Sequence, residues 1–172
     1  MLLAKTRVKE SSRKVADALA AAGIETEIIE FAESTRTADE AAAAVGTTVG
    51  RIVKSLVFTA GNSGGGGEDG DEPILILVSG DNRLDTAKLA AHLGRPVRRA
   101  DADLVRAATG FAIGGVPPLG HARPLPVYVD QDLMDYDTVY AAAGTPNSVF
   151  PIAPADLRRV TGGTVLDLAA GA

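Results

Sequence analysis

The run PILILVSG, Pro73 to Gly80, limits the fold of this chain more than any other stretch. A strand with one wet face alternates apolar and polar side chains, whereas this run is aliphatic at every position from Ile74 to Val78, so both of its faces must be covered. The chain therefore needs a packing layer on each side of a central strand. Arg51 to Thr59, RIVKSLVFT, reads as that strand's neighbour. Within it Ile52, Lys54, Leu56 and Phe58 share one face, and Val53, Ser55 and Val57 share the other. Lys54 is thus a charge in an apolar row. Such a lysine either guards a strand edge against aggregation or sits in a cleft, where a poorly screened ammonium can grip a phosphate or a developing oxyanion.

Helix signals alternate with these strands. Val8, Val15, Leu19 and Ala22 recur at spacings of seven, four and three, which predicts a helix from about Lys5 to Ala22 stopped by Gly23. Glu25 to Phe31 then reads as a strand. Thr37 followed by Glu40 forms a capping box for a helix over residues 38 to 45, with Gly46 as its stop. Asp85 and Gly94 bound a further helix, Asp101 and Gly110 another, and Pro154 opens a last one that Gly162 closes. Strand signals return at Leu125 to Val129, Thr138 to Ala142 and Val149 to Ile152. No βαβ period repeats. The expected fold is a mixed α/β (α+β) domain with flanking helices around a curved, barrel-like, largely antiparallel sheet, and residues 1–172 form a single domain.

Composition excludes several kinds of chemistry. There is no cysteine, so disulfides, thiolate metal sites and cysteine nucleophiles are ruled out, and two histidines, His92 and His121, are too few for a histidine metal site. No metal and no cofactor are expected. The tract between Gly61 and Glu72 is rich in glycine and acid and has no apolar side chain, which predicts a mobile loop. It lacks the lysine and hydroxyl of a P-loop, and its carboxylates would repel phosphate. A net charge of -5 argues against tight, autonomous binding of nucleic acid, and no DNA partner is expected, although Arg95, Arg98, Arg99 and Arg106 cluster in sequence, as do Arg158 and Arg159. No apolar run reaches the roughly 20 residues of a membrane span and the N-terminal stretch is charged, so a cytoplasmic protein is expected.

Two loops complete the candidates for chemistry. TGFAIGGVPPLGH, Thr109 to His121, pairs glycines with prolines, so its main chain is both exposed and stiff. Gly114 and Gly115 lack side chains that would keep a ligand from their amides, and His121 is a possible base as well as an ordinary core or surface histidine. AAAGTPNSVF, Ala141 to Phe150, runs from a strand into a turn at Gly144, Thr145, Pro146 and Asn147. Either loop is also a plausible plain connection. All these residues lie on strands or at strand ends, as they would if several connections met at one cleft.

Taken in order, STRTADEAA, IVKSLVF, LVSGDNRLD, ATGFAIGGVPPLGH and AAGTPNSVF resemble the YbaK/ProX family of aminoacyl-tRNA editing domains, over about Phe31 to Leu168. The resemblance implies a strongly curved sheet and hydrolysis of the ester that joins an amino acid to the terminal ribose of tRNA. It makes Lys54 the catalytic strand lysine. It places Gly114 through Pro118 against the aminoacyl group, with Gly115 and His121 in the same loop. By the same carry-over Phe31, Thr35, Ser55, Ser79, Gly80 and Asp81 line the substrate pocket, as do Gly144, Thr145 and Asn147. The implied partner is the acceptor end of a mischarged tRNA, with prolyl-tRNA synthetase as a possible second partner. The amino acid implied is cysteine, alanine or another small one, on tRNA for proline. Pro117 stands where cysteine-clearing members often carry a small polar residue, which leaves cysteine specificity open.

An aminoacyl ester is already activated, so a catalyst needs only to position water and stabilise the tetrahedral oxyanion, without a protein nucleophile. Two rival readings use the same pocket: a non-catalytic module that binds a nucleotide, an aminoacyl end or a synthetase, and an esterase acting on a small metabolite.

Overall fold

The computed structural model describes residues 10–61 and 71–171. The helices are α1 (Glu10–Ala21), α2 (Ala38–Val45), α3 (Thr86–Leu93), α4 (Ala102–Thr109) and α5 (Pro154–Thr161). The strands are β1 (Ile29–Glu30), β2 (Val53–Ala60), β3 (Glu72–Ser79), β4 (Val97–Arg99), β5 (Val127–Asp130), β6 (Val139–Ala142), β7 (Ser148–Ile152) and β8 (Thr164–Leu166). They form a five-stranded sheet in the order β4-β2-β3-β5-β8 and a three-stranded sheet in the order β1-β7-β6.

The aliphatic run behaves as its composition requires. Ile74 through Val78 of β3 are completely buried and divide by parity between two cores. Leu75 and Leu77 pack with Val53, Val57 and Val129, under Val15, Leu19, Phe150 and Leu157. Ile74, Ile76 and Val78 pack with Phe58, Leu89 and Leu168. Each such side chain contributes about 1.5–3 kcal/mol by leaving water, so this one strand anchors both layers. A third small cluster joins Ala41 and Ala42 of α2 to Ile52.

The helix caps follow the sequence closely. Thr37, Asp85 and Asp101 accept hydrogen bonds from the amides of Glu40, Lys88 and Leu104, and Gly46, Gly94, Gly110 and Gly162 close their helices in the left-handed region. At α2 the Glu40 carboxylate accepts from Arg36 N–H, one residue ahead of the cap itself.

Other expectations hold in part: four of the six strand pairings among the described residues are antiparallel, as expected. β2 pairs antiparallel with β3 and β4, but β3–β5 and β5–β8 are parallel, so the larger sheet is mixed. Among the described residues the strands make two sheets and no closed barrel; a parallel bridge between Ile52 and Tyr140 joins them. The strand expected over Glu25 to Phe31 shrinks to Ile29–Glu30, where pairing with Ser148 and Val149 is available. β4 and β8 carry only three residues each, too short to show a period of two. Residues 62–70 of the acidic glycine tract, and residues 5–9 of the expected first helix, lie outside the described residues. The ends of the tract are held: Arg95 donates to the carbonyls of Ala60 and Gly61 and pairs with Glu72. No helix among the described residues is long and apolar enough to cross a membrane.

Candidate active site

β4 lies along β2 only from Phe58 to Ala60, so the outer edge of β2 from Val53 to Leu56 has no strand paired to it in a ladder. Three connections converge on that open edge: the segment entering α2, the loop after α4, and the β6–β7 turn. Between them lies a cleft of about 490 Å³, a size that suits a small ligand or one end of a larger one. Because the edge is open, side chains from both faces of β2 reach the cleft, Lys54 from one and Ser55 from the other. Thr35, Gly80, Gly114 and Thr145 also line it, so of the residues singled out from sequence these six meet at one place.

Lys54 is half-buried, and its ammonium donates to the main-chain carbonyl of Asn82. Burial lowers its pKa from the ordinary lysine value, while the charges of Asp130 and Asp81 act the other way. A lysine that only guards an edge stands in water. This one is turned inward to a carbonyl and keeps two N–H groups for a ligand. Next to it, Ser55 Oγ is buried and has no hydrogen-bond partner among the described residues. An unpaired buried hydroxyl costs about 1–3 kcal/mol, and it marks a position where a ligand can supply the missing bond.

The glycine–proline loop is built for close contact, though with one amide fewer than expected. Gly114 is exposed at φ 93°, and its N–H meets no protein acceptor among the described residues. The Gly115 N–H is taken: it donates to the carbonyl of Ala112 at 3.0 Å. Gly115 serves packing, since a Cβ there would lie 2.9 Å from main-chain atoms of Gly144 and Thr145. Pro118 is buried beneath the loop. Ile113, at the lip of the cleft, is 60% exposed and is the one large hydrophobic side chain so exposed among the described residues.

His121 does not line the cleft. Its Nε2–H donates to the carbonyl of Pro117 at 2.6 Å, so it ties the loop together from behind. Burial lowers its pKa from the ordinary imidazole value, partly offset by that bond. The folded state thus resists protonating it while the unfolded chain does not, and the cost appears as pH falls below the unfolded value of about 6.5. The melting temperature is expected to drop on acidification through this range, and to drop less in His121→Gln; superimposable pH–stability curves would refute this.

Of the remaining candidates, Phe31, Ser79, Asp81, Gly144 and Asn147 do not line the cleft but adjoin or bond to residues around it. Phe31 N–H donates to the Asn147 carbonyl, Asn147 Nδ2 returns a bond to the Phe31 carbonyl, and Thr35 donates twice to the Pro146 carbonyl. Thr145 Oγ1 donates to Asn147 Oδ1 at 2.9 Å and lies 2.6 Å from Ser148 Oγ. Gly144 packs on α1, where a Cβ would sit 2.6 Å from the Ser11 carbonyl. Ser79 is buried with its hydroxyl on the Gly50 carbonyl, and Asp81 is exposed beside it. Gly80 is wedged against the Val49 carbonyl, where no Cβ fits.

Sequence reading missed Arg36, Tyr140 and Ile113, all of which line the cleft. Arg36 and Ile113 lie inside the STRTADEAA and glycine–proline segments and Tyr140 on a strand, but none carries a signal of its own, and only convergence of the loops picks them out. The clustered arginines divide: Arg95 and Arg98 pair with Glu72 and Asp71, whereas Arg99 is exposed and lines a cavity of about 50 Å³ that shares Ser55, Leu56, Ile113 and Val116 with the cleft. Among the described residues no three histidine or acidic side chains are grouped to hold a metal ion.

Comparison with known proteins bears on this geometry. Residues 32–160 match the model of a family described as "Aminoacyl-tRNA editing domain". YwhH of Bacillus subtilis is 35% identical over 133 residues, which span 77% of this chain and 80% of that protein. The "Putative Cys-tRNA(Pro)/Cys-tRNA(Cys) deacylase EbsC" of Enterococcus faecalis is 28% identical over 139 residues, 80% of each chain. A crystal structure described as "a putative trans-editing enzyme for prolyl tRNA synthetase" superposes with a TM-score of 0.86 at 48% identity, covering 95% of this chain and 99% of the other.

Proposed function

The chain belongs to the aminoacyl-tRNA editing domain family, and on that premise we propose that it is an aminoacyl-tRNA deacylase, with Lys54 as its central functional group and the cleft at the open edge of β2 as its active site. The observation that carries the reading is the inward-turned, half-buried Lys54 ammonium facing a cleft edged by the free amide of Gly114. Relatives named as a tRNA deacylase and as a trans-editing enzyme support the reaction class.

In this reading the terminal ribose ester enters the cleft and the amino acid lies toward Ser55 and Gly114. Lys54 holds the terminal phosphate or the ester oxygen, and water attacks the carbonyl carbon. The negative charge that develops on the carbonyl oxygen is met by ammonium and amide donors. Collapse breaks the bond to the ribose oxygen, which takes up a proton, and releases the free amino acid. No nucleophilic side chain is required. The substrate is a mischarged tRNA, and the amino acid is a small one, cysteine or alanine or similar, on tRNA for proline. A prolyl-tRNA synthetase is the corresponding partner. Single-turnover assays with a panel of mischarged tRNAs and free amino-acid esters test this. Cleavage of one or more mischarged tRNAs is expected; cleavage of the free esters alone, or binding of tRNA without cleavage, would favour the rival readings.

Ser55→Ala offers a second check. Deleting an unpaired buried hydroxyl should stabilise the fold by about 1 kcal/mol and raise the melting temperature by a few degrees. If Ser55 bonds substrate, the same change lowers the deacylation rate. Lost stability with unchanged rate would remove Ser55 from the site.

A further inference from the structure

Behind Lys54 lies a fully buried carboxylate that the reaction above does not use. Asp130, at the end of β5, is 0% exposed and makes no direct ion pair among the described residues. Burying a charge is costly unless hydrogen bonds and an opposite charge compensate it. Its oxygens are met by donors: Oδ2 accepts from Ser79 N–H at 3.1 Å and from Asn82 Nδ2 at 2.8 Å, and Oδ1 accepts from Asp132 N–H at 3.0 Å. Asn82 spends its second side-chain hydrogen on Asp132 Oδ2 at 2.7 Å. Both side-chain N–H groups of Asn82 are therefore engaged, and its main-chain carbonyl is the group that accepts from Lys54.

The Ser79–Asn82 turn is held by three further hydrogen bonds, two to neighbouring segments and one within the turn. Ser79 Oγ donates to the Gly50 carbonyl at 2.7 Å, Gly80 N–H donates to the Ile52 carbonyl at 2.7 Å, and Asn82 N–H donates to the Ser79 carbonyl at 2.9 Å. A surface turn carrying one carbonyl to one lysine needs no such anchoring unless the direction of that carbonyl matters.

We propose that Asn82 and Asp130 are positioning residues: Asp130 clamps the Asn82 side chain so that the Asn82 carbonyl fixes the direction of the Lys54 ammonium into the cleft. The inference rests on the reading of Lys54 as the functional cation. Neither residue lines the cleft, so both act through Lys54. The charged and titratable groups around Lys54 are Asp81 and Asp132 beside the turn, Asp130 behind it, and Arg36, Asp39 and Tyr140 on the cleft walls. Burial presses Lys54 toward its neutral form and Asp130 is the foremost group opposing this, so removing the Asp130 charge moves the Lys54 titration to lower pH.

The test follows the Lys54 side chain by NMR through a pH titration in wild type, Asn82→Ala and Asp130→Asn, its signal identified by its loss in Lys54→Ala. Single-turnover deacylation of a mischarged tRNA is measured against pH on the same proteins. In both variants the Lys54 titration is expected to shift to lower pH, the alkaline limb of the rate profile to shift with it, and the rate at neutral pH to fall about ten- to a hundredfold from mispositioning. If Asp130→Asn does not fold, the partly exposed Asn82→Ala carries the test. An unmoved Lys54 titration in the folded variants overturns the proposal, whatever the wild type does to tRNA. A shifted titration in a protein that cleaves no mischarged tRNA supports the coupling to Lys54 and removes the deacylase reading instead.

Discussion

Replacing Lys54 with alanine is expected to cut single-turnover deacylation about a hundred- to a thousandfold, the usual cost of losing one donor to a developing oxyanion. The fold should survive, because Lys54 is only half-buried and its one hydrogen bond runs to a main-chain carbonyl that water can satisfy in its place. The melting transition should stay cooperative, with its midpoint moved by only about a few degrees. Lys54→Arg should restore little. The planar guanidinium spreads its charge over a wider fork and cannot meet the Asn82 carbonyl and a cleft ligand from the same point. Thermal melts and single-turnover rates of wild type and both variants decide the matter. A folded Lys54→Ala protein with near wild-type turnover would take Lys54 out of the reaction and leave it an edge guard.

The second large effect is expected at Gly115, which touches no substrate in this reading. Its Cβ would lie 2.9 Å from Gly144 C and from Thr145 N and Cα, all main-chain atoms that cannot swing aside. Gly115→Ala therefore forces the loop after α4 away from the β6–β7 turn. Overpacking of this kind costs about 1–3 kcal/mol. It also displaces Gly114 and Thr145, which line the cleft side by side, and an error of about 1 Å there can cost about a hundredfold in rate. Activity should thus fall further than the loss of stability explains. The comparison is between rates measured well below the melting temperature of each protein. If Gly115→Ala is destabilised but turns over as wild type does, the two loops do not jointly shape the site.

Much of the fold was legible because its causes are local. The aliphatic run Ile74–Val78 announced a strand with two buried faces, and Thr37, Asp85 and Asp101 with their closing glycines bounded three helices to the residue. Caps and periodicities depend on neighbours a few residues away, so sequence carries them. The resemblance carried by the five motifs likewise pointed to the family that residues 32–160 match.

What sequence could not supply is set by distant partners. Whether β5 joined β3 in parallel, and whether the strands closed into a barrel, depended on pairing energies shared among segments far apart in the chain. The same holds at the site. The IVKSLVF alternation put Lys54 and Ser55 on opposite faces, which is correct for a strand, but only the early end of β4 leaves the β2 edge open and lets both enter one cleft. The Gly114–Gly115 pair looked like two free amides until the turn geometry committed one of them to Ala112. Asn82 and Asp130 lie 48 residues apart and nothing local in either segment pairs them, yet they meet behind Lys54. Sequence thus determined which residues could do chemistry, through their type and local spacing. Tertiary structure decided which of them share a space, because hydrogen bonds and burial are settled by what the folded chain brings within about 3 Å.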